Sequence, residues 1–180
     1  ARFKDGQRDA ALETLSKALQ HEFVPKTFRA AAVDLYLSNG SIPPALPLLD
    51  SILAEEPDNV MALGQRGFAC LQVERFEDAQ ASLSRALEID PKNALNRLNR
   101  AFAFDRLKQY DAAQLDFETV LHDNPNAYQA LFGLAEVAIA KKDTTAAIRH
   151  LERCLQLVTP GSADHQKIKA RLDELAPPKK

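Results

Sequence analysis

The sequence predicts an all-α array of helical hairpins, and three observations lead to this prediction. Pro57, Pro91 and Pro125 stand 34 residues apart, and Pro160 follows 35 residues after the last of them. Within each period, apolar residues recur at steps of three and four, the spacing of a helix with one buried stripe. Small residues also recur at fixed places in every period. A fixed period of this size indicates one small helical unit repeated along the chain.

The units are predicted in chain order from these prolines. Residues 5–11 are typical of the entry to a second helix, so we expect a truncated first unit at 1–25 and a chain that is a fragment of a longer array. Four fuller units are predicted at 26–59, 60–93, 94–127 and 128–161.

A terminal helix should close the array. Residues 162–176 carry one apolar stripe, formed by Ile168, Leu172 and Leu175, and are otherwise polar. This pattern predicts a capping helix, because the end of an array must not leave an apolar face open. We therefore predict one elongated domain over residues 1–176, followed by a solvated tail at 177–180.

Each unit should contain two antiparallel helices. In the unit 60–93 they are predicted near Val60–Gln72 and Glu77–Leu87, with a short turn from Val73 to Phe76. The closing proline cannot continue a helix and so ends the unit. Small residues are expected where two helix backbones approach closely, at Gly67, Ala79, Ala101, Ala113, Ala135 and Ala147.

These columns resemble the tetratricopeptide repeat family. The family pattern has a small residue late in its first helix, then an alanine, a bulky apolar residue and a second small residue in its second helix, and a proline after it. The matching residues are Gly67, Ala79, Leu83, Ala86 and Pro91, and again Ala101, Ala113, Phe117 and Pro125. The resemblance covers nearly the whole chain. It implies a right-handed superhelical solenoid whose first helices line a concave groove.

One polar pair is predicted inside the array. Arg100 lies in a first helix, and Asp116 follows sixteen residues later in its partner helix, so we expect an ion pair between them. The equivalent Arg66 faces Ser82, so it lacks the aspartate that Arg100 has at this position. The alternative is that Arg100 lays its stem on the surface and points its charge to water.

The resemblance also implies a binding surface. The family usually binds extended peptides or partner helices in the concave groove, so the inward-facing residues of the first helices are candidate contacts. The residues predicted to bind a peptide are Met61, Gln65, Phe68, Leu71, Leu95, Leu98, Asn99, Phe102, Arg106, Gln129, Phe132 and Glu136. Many of them are apolar, and a large exposed apolar patch normally marks an interaction site. Alternatively, tighter superhelical packing buries several of them.

We expect a non-enzymatic protein-interaction scaffold with a protein or peptide ligand. No cofactor or metal is expected, because the four histidines share no metal-ligand spacing and no set of polar residues indicates a catalytic pocket. Two alternatives stay open. One is a self-association module that forms a homo-oligomer, and the other is a regulatory domain of a larger enzyme or of an envelope or secretion protein.

The composition limits which kinds of partner and which compartment we expect. The net charge of −2 gives no case for nucleic acid, and no apolar run is long enough for direct insertion into a membrane. Cys70 and Cys154 fall in interior columns and are expected to be free, buried thiols, which favours a reducing, cytoplasmic compartment. Because the first unit looks truncated, a periplasmic or membrane-tethered location stays open.

Overall fold

The computed structural model describes residues 14–18 and 24–175, and this part of the chain is helical without a strand. Residues 14–18 are helical. Most of the predicted unit 1–25 and the whole tail at 177–180 lie outside the described residues. The helices from residue 26 onward are α1 (Lys26–Ser38), α2 (Ile42–Glu55), α3 (Val60–Gln72), α4 (Phe76–Ile89), α5 (Ala94–Arg106), α6 (Tyr110–Asp123), α7 (Tyr128–Ala140), α8 (Thr144–Leu157) and α9 (Ala163–Leu175).

The helices form a solenoid of antiparallel pairs. Each helix packs against the next one along the chain, from α1 through to α9. The first helices of neighbouring pairs also contact one another, α3 with α5 and α5 with α7. The first helices therefore form one continuous wall, and this is the concave side of the array. Pro57, Pro91 and Pro125 lie in the turns between pairs, where the sequence places them.

The turn inside each pair uses one residue in the left-handed conformation. These residues are Gly40, Glu74, Lys108 and Lys142, with φ between 60° and 71°. In the second pair, the Arg75 N–H then donates to the Cys70 carbonyl at 2.9 Å, which satisfies a carbonyl at the end of α3. This closed turn ends at Arg75, so α4 starts at Phe76 and runs to Ile89. The prediction of Glu77–Leu87 was one residue late at its start and two residues early at its end.

Small residues lie where the helices approach closely. Ala79, Ala101, Ala113, Ala135 and Ala147 are all fully buried. At Gly67 of α3, a Cβ atom would overlap the side chain of Leu83 in α4. A larger residue at position 67 would therefore require Leu83 or the two helices to move apart.

The predicted ion pair between α5 and α6 is present. Arg100 Nε lies 2.7 Å from Asp116 Oδ2, and the Asp116 carboxylate is almost fully buried. Arg66 faces Ser82 as expected, and it also has an acidic partner in the preceding pair. Arg66 donates to Ser82 Oγ at 2.7 Å and also to Asp50 Oδ1 of the preceding pair at 2.7 Å. Arg66 thus contacts the preceding repeat, whereas the prediction considered only partners within one repeat.

The capping helix is Ala163–Leu175 and lies within the predicted span 162–176. Its Ile168 is buried against the last core cluster, together with Leu151 and Cys154. Both cysteines are free and buried, as predicted, and burial raises the pKa of the Cys154 thiol to about 12. Within 14–18 and 24–175, every helix is too short or too polar to cross a membrane.

Candidate binding groove

A groove opens on the concave wall between α3 and α5. Its cavity volume is about 630 Å³. Met61 is 71% exposed and Leu95 is 65% exposed, and Phe68 is also open to solvent. The lining residues are Val60, Met61, Gly64, Gln65, Phe68, Asn93, Leu95, Asn96 and Asn99. None of these side chains is ionisable, so the groove is apolar with a few neutral amides.

Two asparagines fix the ends of the helices that form the groove. Asn59 Oδ1 accepts a hydrogen bond from the Ala62 N–H, and Asn93 Oδ1 accepts one from the Asn96 N–H, both at 3.0 Å. Each side chain thus satisfies one unpaired amide in the first turn of its helix. Residues in the first turns of both helices, Val60 and Met61 of α3 and Leu95 of α5, line the groove.

Two further amides face this groove without a partner. Asn96 is only 5% exposed, yet it lines the cavity. Asn99 lines it one helical turn later. Neither side chain hydrogen bonds to a residue within 14–18 or 24–175, and the polar atoms of both side chains stay accessible to solvent. The sequence-based list missed Asn96, although a signal was available, because the equivalent positions in the neighbouring repeats are Ala62 and Ala130.

A third amide in the groove is held in place. Gln65 Nε2 donates to Asp34 Oδ1 of α1 at 2.6 Å. This bond joins two first helices and orients the Gln65 side chain along the concave wall.

The capping helix covers the other half of the concave wall. Glu136 of α7 accepts two hydrogen bonds from Arg171 of α9, both at 2.9 Å. The Lys167 ammonium lies 4.8 Å from the centre of the Phe132 ring. Phe132 and Glu136, predicted to bind a peptide, therefore contact the chain's own terminal helix.

A second cavity of about 550 Å³ remains between α5, α7 and α9. Asp105 lines it, and burial together with the nearby Glu136 carboxylate raises the pKa of Asp105. Gln129 is exposed beside a smaller cavity of about 170 Å³ at the start of α9. This half of the wall is more polar than the groove between α3 and α5.

The other predicted contact residues have their own packing partners. Leu71, Leu98 and Phe102 are partly buried against the core clusters, as the packing alternative expected. Arg106 lies over the Phe76 ring, with its guanidinium carbon 4.8 Å from the ring centre. The residues from the predicted list that share the open groove are Met61, Gln65, Phe68, Leu95 and Asn99.

In the described part of the chain, histidine, cysteine, aspartate and glutamate side chains nowhere gather in threes with a geometry that could hold a metal ion.

Comparison with known proteins identifies the family. Models described as tetratricopeptide repeat match residues 36–100 and 98–161. The chain is 32% identical over 83 residues to "RNA polymerase II-associated protein 3" of Xenopus tropicalis, and these residues are 46% of this chain and 13% of that protein. It is 27% identical over 156 residues to "Protein CTR9 homolog" of Arabidopsis thaliana, covering 86% of this chain and 14% of that protein. The chain thus spans about a seventh of the length of either relative.

A solved structure shows the same fold. A tetratricopeptide repeat protein from Parabacteroides merdae superposes with a TM-score of 0.77 at 21% identity, covering 95% of this chain and 66% of that one. The two family matches together extend from residue 36, near the end of α1, to residue 161, between α8 and α9. The chain therefore belongs to the tetratricopeptide repeat family and is a right-handed superhelical solenoid with a terminal capping helix.

Proposed function

We propose that the chain holds an uncharged, apolar segment of a partner protein in the groove between α3 and α5. Tetratricopeptide repeats are in general protein-interaction scaffolds, and an array of helix pairs offers a long concave surface. The proposal adds the place and the chemistry of binding. It treats the chain as a binding module, since a lining without titratable groups offers neither a general base nor a nucleophile.

The clustering of exposed apolar side chains carries the proposal. Seven large apolar side chains are exposed in the described part of the chain. Three of them, Met61, Phe68 and Leu95, line this single groove. A flexible methionine beside an aromatic ring adapts well to an apolar ligand, and burying such a patch is the main source of binding free energy.

The charge of the groove limits the partner. A charged side chain brought into a lining without ionisable groups would lose its hydration and meet no counter-ion. The segment that fits best is therefore neutral where it enters the groove. Polar contacts would come from the amides of Gln65, Asn96 and Asn99.

Two leucines with the same exposure allow a matched test. Leu95 lies in the groove and Leu115 lies in α6, and each is 65% exposed. Random 12-residue peptides displayed on phage are selected on the wild-type chain, and the enriched peptide is measured by fluorescence polarisation. We expect Leu95→Ala to weaken binding about tenfold and Leu115→Ala to change it less than about twofold.

Equal losses for the two variants would contradict the proposal, as would full affinity in Leu95→Ala. Light scattering on the free chain gives a second check. A dimer that Leu95→Ala dissociates would assign the groove to a second copy instead of a partner segment.

A further inference from the structure

We propose that the cavity between α5, α7 and α9 binds a small organic cation, an ammonium ion on an apolar body, with the carboxylate of Asp105 as its counter-ion. The cavity has a volume of about 550 Å³, which is within the size range of small-molecule sites. It shares no lining residue with the groove between α3 and α5. It is therefore a second site, and it does not depend on the proposed function.

Asp105 is a partly buried carboxylate without a counter-ion. It lies in the last turn of α5 and lines the cavity, and within 14–18 and 24–175 no side chain donates a hydrogen bond to it or forms an ion pair with it. Burial, and to a lesser degree the Glu136 carboxylate, raises the pKa of Asp105, although the Arg106 charge lowers it. A cation bound beside Asp105 would stabilise its charged form and oppose both causes of the raised pKa.

The arginines that line the cavity contact other groups. Arg171 donates two hydrogen bonds to Glu136, both at 2.9 Å, and a third to Glu174 at 2.6 Å. The Arg106 guanidinium lies over the ring of Phe76, which does not line the cavity, with its central carbon 4.8 Å from the ring centre. Glu136 and Glu174 thus each have a cation in contact, whereas Asp105 has none among the described residues.

Lys167 of α9 shows how this wall holds an ammonium group. Its ammonium lies 4.8 Å from the centre of the Phe132 ring, and within the described residues it has no carboxylate partner. The negative face of an aromatic ring attracts such a charge. Phe102 of α5 lines the same cavity, so rings from both helices offer apolar surface to the body of a ligand.

The position of α9 favours a small molecule over a segment of a partner protein. α9 covers this half of the wall and is attached to α7 by the Arg171–Glu136 contact and by a hydrogen bond of 2.7 Å from the Tyr128 hydroxyl to Asp164 Oδ2. A partner chain lying along the wall would have to break these contacts, whereas a small cation needs only the space that α9 leaves open. A cation also fits better than an anion, because an anion would face the unpaired Asp105 carboxylate.

Benzylamine and benzyl alcohol are a matched pair of probes, because they have nearly the same size and only the amine is charged at pH 7. NMR titration of the full chain should show benzylamine binding with a dissociation constant on the order of 1 mM, as expected for so small a ligand. Benzyl alcohol should bind at least about tenfold more weakly. Saturating benzylamine should lower the pKa of Asp105, followed at its carboxyl carbon, towards the ordinary value of 3.8.

Two carboxylates allow a matched test in the protein. Asp105→Asn removes the carboxylate from the cavity, whereas Asp173→Asn removes an exposed carboxylate of α9 that does not line it. We expect Asp105→Asn to weaken benzylamine binding about tenfold and Asp173→Asn to change it less than about twofold. Lys167→Met should strengthen binding about threefold, because it frees the Phe132 ring and removes a like charge.

Folding provides the control for Asp105→Asn. Its melting temperature should equal or exceed that of the wild type, because the change removes an unpaired and partly buried charge. A lower melting temperature would assign Asp105 a structural role and contradict the inference. Equal binding of the two probes, equal losses for the two aspartate variants, or weaker binding by Lys167→Met would each overturn it.

A further probe separates a small molecule from a protein side chain. N-acetyl-lysine methylamide copies a lysine of a partner protein and should bind more weakly than benzylamine. Equal or tighter binding would assign the cavity to a basic side chain of a partner and overturn the small-molecule assignment. Leu95→Ala should bind benzylamine like the wild type, because Leu95 does not line this cavity, so the two sites can fail separately.

Discussion

Arg100 donates two hydrogen bonds to the carboxylate of Asp116, from Nε at 2.7 Å and from Nη2 at 2.9 Å. Arg97 approaches the same carboxylate at 3.5 Å. Asp116 thereby joins two positions of α5 to α6. In the preceding pair, Arg66 uses Ser82 and Asp50 instead. Both repeats thus carry an arginine at this position, but its acidic partner lies in the partner helix for Arg100 and in the preceding pair for Arg66.

Removing the Asp116 carboxylate should destabilise the fold. Its side chain is 4% exposed, so Asp116→Ala would leave Arg97 and Arg100 without their buried counter-ion. We expect the free energy of unfolding to fall by about 2 to 3 kcal/mol in urea denaturation. Asp116→Ser should cost less, because the neighbouring repeat uses Ser82 as the acceptor for Arg66. Equal costs for the two variants would mean that the hydrogen bond from arginine contributes little.

Gly67→Ala should be destabilising although alanine favours a helix. On an exposed helix the change would gain about 1 kcal/mol. Here the added methyl group overlaps the Leu83 side chain, and overpacking costs about 1 to 3 kcal/mol. We expect a net loss in thermal denaturation. In a Leu83→Ala background the same change should become neutral or stabilising, and a loss that persists there would show that Leu83 is not the cause.

Glu136→Gln should loosen the capping helix more than the rest of the chain. Glu136 accepts both hydrogen bonds from Arg171 of α9, and both side chains are about a third exposed. A pair of this exposure is worth about 1 kcal/mol. Hydrogen exchange of residues 163–175 should therefore accelerate about fivefold. Glu174→Gln serves as the control, because Glu174 makes only an exposed contact with Arg171, and an equal effect there would contradict the prediction.

The stability of the fold should fall at alkaline pH through its buried thiols. Burial raises the pKa of Cys154 from 9.0 to about 12, and the pKa of Cys70 is also raised, mainly by burial. Above pH 9 the unfolded chain loses the thiol proton while the folded chain keeps it. The stabilisation from Cys154 is thus fully present below pH 9 and is lost as the pH rises towards 12, at no more than about 1.4 kcal/mol per pH unit.

The comparison of slopes isolates this effect from other titrating groups. Cys154→Ala should lose stability with pH less steeply than the wild type between pH 9 and 11. Parallel slopes for the two proteins would show that the Cys154 thiol is not protected. The slope is compared instead of the absolute stability, because the substitution also removes buried volume.

Most of the fold could be predicted because the same positions pack in the same way in every repeat. The bounds of α3 agree with the prediction, and α9 lies within the predicted span 162–176, since their apolar stripes and flanking prolines are unambiguous. The start of α4 differed because the turn closes through the Arg75 N–H and Cys70 carbonyl, a backbone contact that the apolar spacing does not report.

The groove was less predictable because it depends on contacts between repeats. Phe132 was placed on the concave wall by its column. Its contact with Lys167 depends on the direction of the chain after Gly161, which no repeat determines. Asn96 was missed for the opposite reason. The equivalent positions in the neighbouring repeats are Ala62 and Ala130, and alanine in such a column indicates helix packing and not a groove position.

One measurement tests the proposed groove most directly. Met61 is the single methionine of the 180-residue sequence, so protein labelled at the methionine methyl carbon gives one NMR signal, from a side chain that lines the groove. With the enriched 12-residue peptide, this signal should shift in a saturable manner and show nuclear Overhauser contacts to an apolar side chain of the peptide. A peptide that binds with the same affinity while the Met61 signal stays unmoved would contradict the account.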